Sequence, residues 1–363
     1  MKKILLASVA LTAFAGAAAA EVSFSGSATL GYNDDNGRLA NNATFGDHNG
    51  FYSDLNLDVA FSATLDNGIT VSASADVDEV DAAEGAAAGV TLTISSDTAS
   101  LVYGDTTFAA EAAWAAVGSM DSDGFSEQDG EDVIKASLTF GDVTVTASQE
   151  INDGHTASGV ANTGADYTDT GAMSASLVAA LGDVNVTVAY QERETATDLV
   201  AQDELLAFRA GTTVAGADVA FGYADNQTDD TQSTGISVVY PTGDLTIAAS
   251  YVLEDVATGT TEDNWDIKVS YAAGAMTASV KTDEADDWAV EGTYDLGNGL
   301  VIAAGAADAG DDVYLGGTYD LGGGASLLVS YADDSDNDEA AGDDDIGAQG
   351  YAVGTTVALS FAF

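Results

Sequence analysis

Side chains alternate in character along segment after segment of this chain, and no other property restricts its fold as much. Counting by twos from Tyr351 gives Val353, Thr355, Val357, Leu359, Phe361 and Phe363, while Ala352, Gly354, Thr356, Ala358, Ser360 and Ala362 lie between them. Successive side chains of a strand point to opposite faces, so this segment reads as a strand with one large apolar face and one small or weakly polar face. The same pattern opens the chain after residue 20. Val22, Phe24, Ala28, Leu30 and Tyr32 oppose Ser23, Ser25, Ser27 and Thr29. Leu55, Leu57, Val59 and Phe61 oppose Asp54, Asn56 and Asp58, and Ile69, Val71, Ala73, Ala75 and Val77 oppose Thr70, Ser72, Ser74, Asp76 and Asp78. A period of two selects strands over helices. The segments are close to the ~9–11 residues that a tilted strand needs to cross a bilayer. An aromatic at Phe363, with Phe361, is the signature expected where a barrel's last strand seals against its first.

Tight Gly/Asp turns separate the strands. They are Leu65-Asp66-Asn67-Gly68, Ser96-Asp97-Thr98, Phe140-Gly141-Asp142, Leu181-Gly182-Asp183, Val214-Ala215-Gly216-Ala217, Pro241-Thr242-Gly243-Asp244, Ala273-Gly274-Ala275, Asp295-Leu296-Gly297-Asn298-Gly299 and Asp320-Leu321-Gly322-Gly323-Gly324. Such turns signal hairpins. The other connections run longer, at roughly 33–50, 79–89, 106–131, 151–170, 193–202, 225–233, 254–263 and 333–347. Short turns at one end and long loops at the other distinguish a transmembrane barrel from a soluble sandwich, which mixes loop lengths at both ends. The expected fold is therefore all-β: an antiparallel transmembrane barrel of 16–20 strands, with short periplasmic turns and long extracellular loops.

The rest of the composition agrees. Met1-Lys2-Lys3, the apolar run Ile4 to Phe14 and the small residues Gly16 to Ala20 read as a secretory signal peptide over 1–20, followed by one barrel domain over 21–363. No stretch beyond it approaches the ~20 apolar residues of a spanning helix, so a membrane location requires a barrel. There is no cysteine, hence no disulfide framework, and a single proline, Pro241. Acidic residues number 60 against 8 basic ones, which excludes nucleic acid as a partner. Disorder is excluded by 46% hydrophobic residues in regular alternation.

On its start Glu21-Val22-Ser23-Phe24-Ser25-Gly26, the run Val102-Tyr103-Gly104-Asp105 before an alanine-rich stretch, the turn Asp320-Leu321-Gly322-Gly323-Gly324-Ala325-Ser326 and the ending Phe361-Ala362-Phe363, the chain resembles the Gram-negative general porins of the alphaproteobacterial type. The resemblance implies a 16-stranded homotrimer whose third long loop folds into the pore, and a location in the outer membrane. It casts 106–131 as that constriction loop.

That loop is unlike the others. Phe108-Ala109-Ala110-Glu111-Ala112-Ala113-Trp114-Ala115-Ala116-Val117 is rich in helix formers, and Asp121, Asp123, Glu127, Asp129, Glu131 and Asp132 follow. The carboxylates expected at the constriction are Glu111, Asp121, Asp123, Glu127 and Asp129. A plain surface loop with a solvated acidic face is the alternative. Strand parity puts Lys135, Arg209, Lys268 and Lys281 on the polar face, with Arg193 in the same phase; Arg38 falls in the first long loop. Any barrel keeps charge off its lipid face, where it costs about 2–4 kcal/mol at mid-depth. The sharper expectation is a basic wall across from an acidic loop. With Asp54, Asp58, Asp76 and Asp78 on lumen parity, carboxylates dominate and cation preference is expected.

The acid runs Asp333-Asp334-Ser335-Asp336-Asn337-Asp338-Glu339 and Asp343-Asp344-Asp345 are dense in hard oxygen ligands, a chemistry that suits weak divalent-cation binding, with a solvated acidic face as the alternative. No cofactor is implied. His48 and His155 stand alone in loops without a nucleophile constellation, so no enzyme is expected. Tyr32, Phe51, Tyr190, Tyr240, Trp265, Trp288, Tyr294 and Tyr319 fall beside turns or loops, as interfacial girdles require. The functional expectation is passive diffusion of ions and small hydrophilic solutes. Its rivals are a secreted or surface-attached acidic β-protein, structural or adhesive, without a pore, and a substrate-specific channel.

Overall fold

The computed structural model describes residues 21–34, 50–78, 88–126, 132–151, 170–195, 202–255, 261–334 and 345–363. Its strands, in order, are β1 Glu21–Asp34, β2 Gly50–Thr64, β3 Thr70–Asp78, β4 Ala88–Ser95, β5 Ala99–Asp105, β6 Asp132–Phe140, β7 Val143–Ile151, β8 Thr170–Leu181, β9 Val184–Gln191, β10 Leu205–Val214 and β11 Ala217–Asn226. Then come β12 Thr231–Thr242, β13 Leu245–Asp255, β14 Thr261–Ala273, β15 Met276–Asp283, β16 Trp288–Gly297, β17 Leu300–Ala307, β18 Asp312–Gly322, β19 Ala325–Asp334, β20 Asp345–Ile346, β21 Tyr351–Ala352 and β22 Gly354–Ala362.

From β1 to β19 each strand pairs antiparallel with the next, β19 pairs with β22, and β22 closes on β1, so twenty strands form one ring. Closure removes every edge, which a spanning sheet requires. The number is the top of the expected range and four more than the resemblance implied. At the seam Ser27 pairs with Ala362 and Asp34 with Thr355. Gly26 and Phe363 exchange both backbone hydrogen bonds at 3.0 Å, and a Cβ on Gly26 would strike the Asn56 carbonyl and crowd the Phe363 ring. Phe361 and Phe363 lie exposed on the outer face.

Nine short turns sit at one rim, as the sequence indicates. Gly141, Gly182, Gly243 and Gly274 open two-residue hairpin loops with φ of 60° to 66°, the conformation that a first-position glycine gives a type II′ turn. At the opposite rim two connections are short and escaped the loop pattern: 284–287 and 308–311.

The faces are inverted relative to a soluble protein. Large apolar side chains are exposed, among them Phe24, Leu30, Leu92, Phe140, Phe221, Ile236, Leu253, Ile267 and Leu315, while Ser148, Ser174, Ser176, Gln191, Ser233 and Thr356 are buried. A water-soluble sandwich puts the first set inside. Here the large apolar set faces out along the whole ring, as lipid demands, and leaves the small and polar set to the lumen. Tyr240, Tyr271, Tyr294 and Tyr319 line the outer face near the turn rim, and Tyr32, Phe51, Tyr251 and Trp288 near the loop rim. Tyr32 and Phe51 meet edge to face at 5.1 Å.

The last strand departs from simple alternation. Counting by twos puts Tyr351 and Val353 on the outer face with Phe363, but both are buried in a cluster with Ala303, Tyr314 and Ala332. Gly354, at φ 93°, breaks the strand, so the outward phase begins only at Thr355. Ile69 likewise stays outside β3 as part of a turn, its carbonyl accepting from the Leu65 amide at 2.7 Å.

Candidate pore lining

The connection after β5 turns inward and runs along the lumen wall. Its apolar side chains Phe108, Ala110, Val117, Met120 and Phe125 are buried. Ala110, Val117, Met120 and Phe125 cluster with Ala189, Leu205, Ala207, Ala220, Ala224 and Val252, which lie on lumen positions of β9, β10, β11 and β13. Room for the loop is built into the wall by glycines. A Cβ at Gly222 would strike the Val117 side chain, and one at Gly235 would strike the Val117 carbonyl.

Polar wall residues capture the loop's backbone. The amides of Ala109 and Ala110 donate to Ser148 Oγ and Ser174 Oγ, both at 2.8 Å. The Ser122 amide donates to Ser233 Oγ at 2.9 Å, the Asp121 amide to Glu254 Oε1 at 3.1 Å and the Ser126 amide to Gln191 Oε1 at 2.9 Å. Asn264 Nδ2 donates to the Ser119 carbonyl at 2.9 Å. A loop amide taken out of bulk water must find such a partner. The one-turn 3₁₀ helix Glu111–Ala113 is all that the helix formers produce. Its chain turns back through Trp114, whose Nε1 donates to Asp123 Oδ2 at 2.7 Å and whose ring packs on Phe125 at 5.9 Å.

The expected carboxylates therefore take different places. Asp121 is exposed and accepts from Asn264 Nδ2 at 3.4 Å. Asp123 is half-buried and staples the loop through Trp114; burial holds its carboxyl above the ordinary range, the indole and backbone N–H groups pull it down, and the Asp121 charge pushes it up. Glu111 keeps Oε2 enclosed without a hydrogen bond and interacts electrostatically with Lys135. Glu127 and Asp129 lie outside the described residues.

The basic residues share one level. Lys135 is five residues before the turn-side end of β6, Arg209 five before that of β10, Lys268 five before that of β14 and Lys281 five after that of β15. Lys135 Nζ donates to the carbonyl and hydroxyl of Thr107 at 2.7 and 3.2 Å, so it braces the root of the loop. Arg209 sits opposite Gly222, its Nε enclosed and donating to nothing, at the top of a recess of about 310 Å³ shared with Asp183, Asn185, Thr213, Asp218 and Ser237. Lys268 and Lys281 are direct cross-strand partners, and Lys281 stands 3.9 Å from Asp283. Arg193 is exposed just beyond β9.

On β2, Asp58 is exposed and accepts from Ser25 Oγ at 3.3 Å, while Asp54 accepts from Asn56 Nδ2 at 3.5 Å. In the register Asp76 is opposite Asp58 and Asp78 opposite Asn56. Strands β2 and β3 stand roughly across the twenty-strand ring from β14 and β15. Among the described residues no three carboxylate or imidazole groups converge on a cation position. Arg38, His48, His155 and most of the acid runs between 333 and 345 fall outside them.

Sequence reasoning missed a second inward element, residues 345–353. Its signals were present: Tyr314, a large aromatic on a lumen position, and the glycines Gly305 and Gly316 on the same face. A Cβ at Gly316 would strike the Tyr351 ring, and one at Gly305 the Tyr314 ring.

One family model and several solved structures are similar to this chain. A model of the family described as Gram-negative porin matches residues 7–279 and 201–340. Among solved structures, a triple mutant of the Rhodopseudomonas blastica porin is 13% identical, covers 94% of this chain and all of its own, and superposes with a TM-score of 0.47. A porin refined at 1.8 Å is 17% identical over 94% of this chain and all of its own, with a TM-score of 0.42. A loop-deletion mutant of OmpT, an outer membrane protein of Vibrio cholerae, is 14% identical over 95% of this chain and 99% of its own, with a TM-score of 0.40. No curated protein sequence matches the chain.

Proposed function

The chain belongs to the Gram-negative porin family, and from that premise we propose that it forms a water-filled, cation-preferring pore for passive diffusion of ions and small hydrophilic solutes across the outer membrane. The observation that carries this reading is the inverted barrel, with large apolar side chains outward, small and polar ones inward, and a loop anchored along the inner wall. A closed wall of that kind is stable in lipid and holds water inside. The pore-free secreted β-protein loses its footing here, since it would leave the outward apolar face in water.

Cation preference rests on the excess of carboxylates. Asp54 and Asp58 put carboxylates on lumen positions of β2, and Asp76 and Asp78 add acidic residues beside Asp58 and Asn56 in the register of β3. Lys268 and Lys281 stand across the ring on β14 and β15, at nearly the same distance from the turn rim as Asp58 and Asp76. Rings of acidic groups favour cations in a pore, and a basic wall across from them adds a transverse field that orients dipolar solutes. Exposed Asp121 adds to the field at the loop, as do Glu127 and Asp129; Asp123 and Glu111 act mainly by holding it.

In this reading residues 1–20 are an export signal, and the mature chain starts at the first residue of β1. The pore is a homotrimer, acts without cofactor or catalysis, and binds divalent cations weakly at its acidic loops. Single-channel recording in a planar bilayer under a salt gradient tests the central claim. Stepwise openings with a reversal potential on the cation side are expected, and Lys268→Ala with Lys281→Ala should move that potential further the same way. An anion-sided or zero potential would refute the selectivity, and silence from folded, inserted protein would refute the pore.

A further inference from the structure

The segment 345–353 is packed into the lumen as deliberately as the loop after β5, from another side. Tyr351 is buried against Gly316, and its ring meets Tyr314 edge to face at 5.5 Å. Tyr314 in turn occupies the space left by Gly305 and Gly347. Glu291 Oε1 on β16 joins wall and segment: it accepts from Tyr314 Oη at 3.0 Å and from the Ala348 amide at 2.6 Å. Asn33 Nδ2 on β1 holds the far end, donating to the Val353 carbonyl at 3.0 Å and to Thr356 Oγ1 at 2.8 Å.

The depth of the two inward segments agrees. Val117 rests on Gly222 and Gly235, and Tyr351 on Gly316. Gly222 lies four residues before the loop-side end of β11, Gly235 four residues into β12 and Gly316 four residues into β18. That is about 13 Å along the strand at the usual rise. Among the described residues, the anchors of the first segment fall on β6 to β14 and those of the second on β16 to β19 and β1.

We propose that residues 345–353 are a second constriction segment, which with the loop after β5 frames one eyelet at a common depth. The passage left open runs between the acidic positions of β2 and β3 and the lysine pair of β14 and β15. Permeating cations are thereby steered along Asp54 and Asp58, and the twenty-strand barrel conducts like a narrower one. The proposal rests on the channel reading above.

Glu291 allows the clasp to be opened without disturbing the barrel. Glu291→Ala removes the acceptor shared by Tyr314 and Ala348, while Glu291→Gln removes the charge and keeps an acceptor oxygen. Single-channel conductance of both is compared with the unaltered protein, after heat-modifiable gel migration confirms a folded barrel. Because conductance follows the open cross-section, Glu291→Ala should raise it about twofold and admit larger neutral sugars, with Glu291→Gln close to the unaltered value. Gly316→Leu, which evicts the Tyr351 ring, is the second probe and should change conductance in a folded barrel. Equal increases in Glu291→Ala and Glu291→Gln would assign the effect to charge and overturn the proposal. So would unchanged conductance in both Glu291→Ala and Gly316→Leu, while the pore reading itself stood. An unaltered protein that never conducts overturns both.

Discussion

The two inward segments are held by the same kinds of contact in different proportion. The loop after β5 is gripped by its backbone: five of its amides, from Ala109 to Ser126, donate to side chains on the wall. Residues 345–353 have fewer backbone anchors, the Ala348 amide on Glu291 and the Val353 carbonyl on Asn33, and rely more on Tyr351 and Tyr314 seated in glycine gaps. Backbone capture fixes the path of the chain at many points, so the first loop behaves as part of the wall. Aromatic seating fixes fewer points of the chain. The contrast sets a segment anchored at many backbone points against one anchored at few.

The largest effect should come from filling the glycine gaps. At Gly235 an added Cβ meets the Val117 carbonyl, so the backbone of the first loop must move. At Gly316 it meets the far end of the Tyr351 ring, which can swing. Gly235→Val is expected to weaken docking of the first loop by about 3 kcal/mol, and Gly316→Ala that of the second by nearer 1 kcal/mol. Hydrogen exchange of the amides in each segment reads both changes, and equal costs would erase the distinction between them.

Smaller effects follow from the hydroxyl anchors. Ser174→Ala and Ser233→Ala each strand one loop amide, that of Ala110 or Ser122, in a buried site. About 1–3 kcal/mol of local protection should be lost at that amide in each case. Tyr314→Phe keeps the ring of the second clasp and removes one hydroxyl, which still leaves the Ala348 amide its acceptor on Glu291, so about 1 kcal/mol is expected there. Full protection at Ser122 in Ser233→Ala would show that the first loop does not depend on its wall hydroxyls.

The barrel was legible because a period of two and a fixed outward face are needed on every spanning strand, and lipid tolerates no local exception. Turn chemistry was legible at Gly141, Gly182 and Gly243 for a similar reason, since φ near +60° restricts residue choice locally. The interior obeyed a subtler rule. Ala189, Ala207, Ala220 and Ala224 occupy lumen positions where β2 and β3 carry Asp, Asn and Ser, because a loop distant in sequence covers them. Small apolar residues on the water side of a strand are thus a trace of an inward loop. The same trace on β17 to β19 was masked by the alternation running through Tyr351 and Val353, which Gly354 interrupts. Asp123 was equally ambiguous: a carboxylate near a pore and a carboxylate bonded to an indole are the same letter, and only the fold back through Trp114 separates them.

That carboxylate supplies the finest test of backbone against side-chain anchoring. Burial holds the Asp123 carboxyl above its ordinary value of 3.8, with the Trp114 and backbone N–H groups offsetting part of the effect. A carboxyl whose proton is bound more tightly in the docked loop than in the released one favours docking when protonated. Docking should therefore be firmest below about 3.8 and loosen as pH rises through the raised value, the reverse of an acid that a cation stabilises. Asp123→Asn keeps an oxygen that accepts from the indole and removes the titration. Its first loop should hold equally across that window, with neutral-pH docking undiminished, whereas the unaltered loop should tighten on mild acidification. Protection of the Ala110 and Ser122 amides against pH reports this directly. The serine hydroxyls that hold those amides carry no charge in this range, so any slope they show must come from the carboxylates beside them. A slope that survives Asp123→Asn would show that the Asp123 carboxyl is not the group that couples docking to pH.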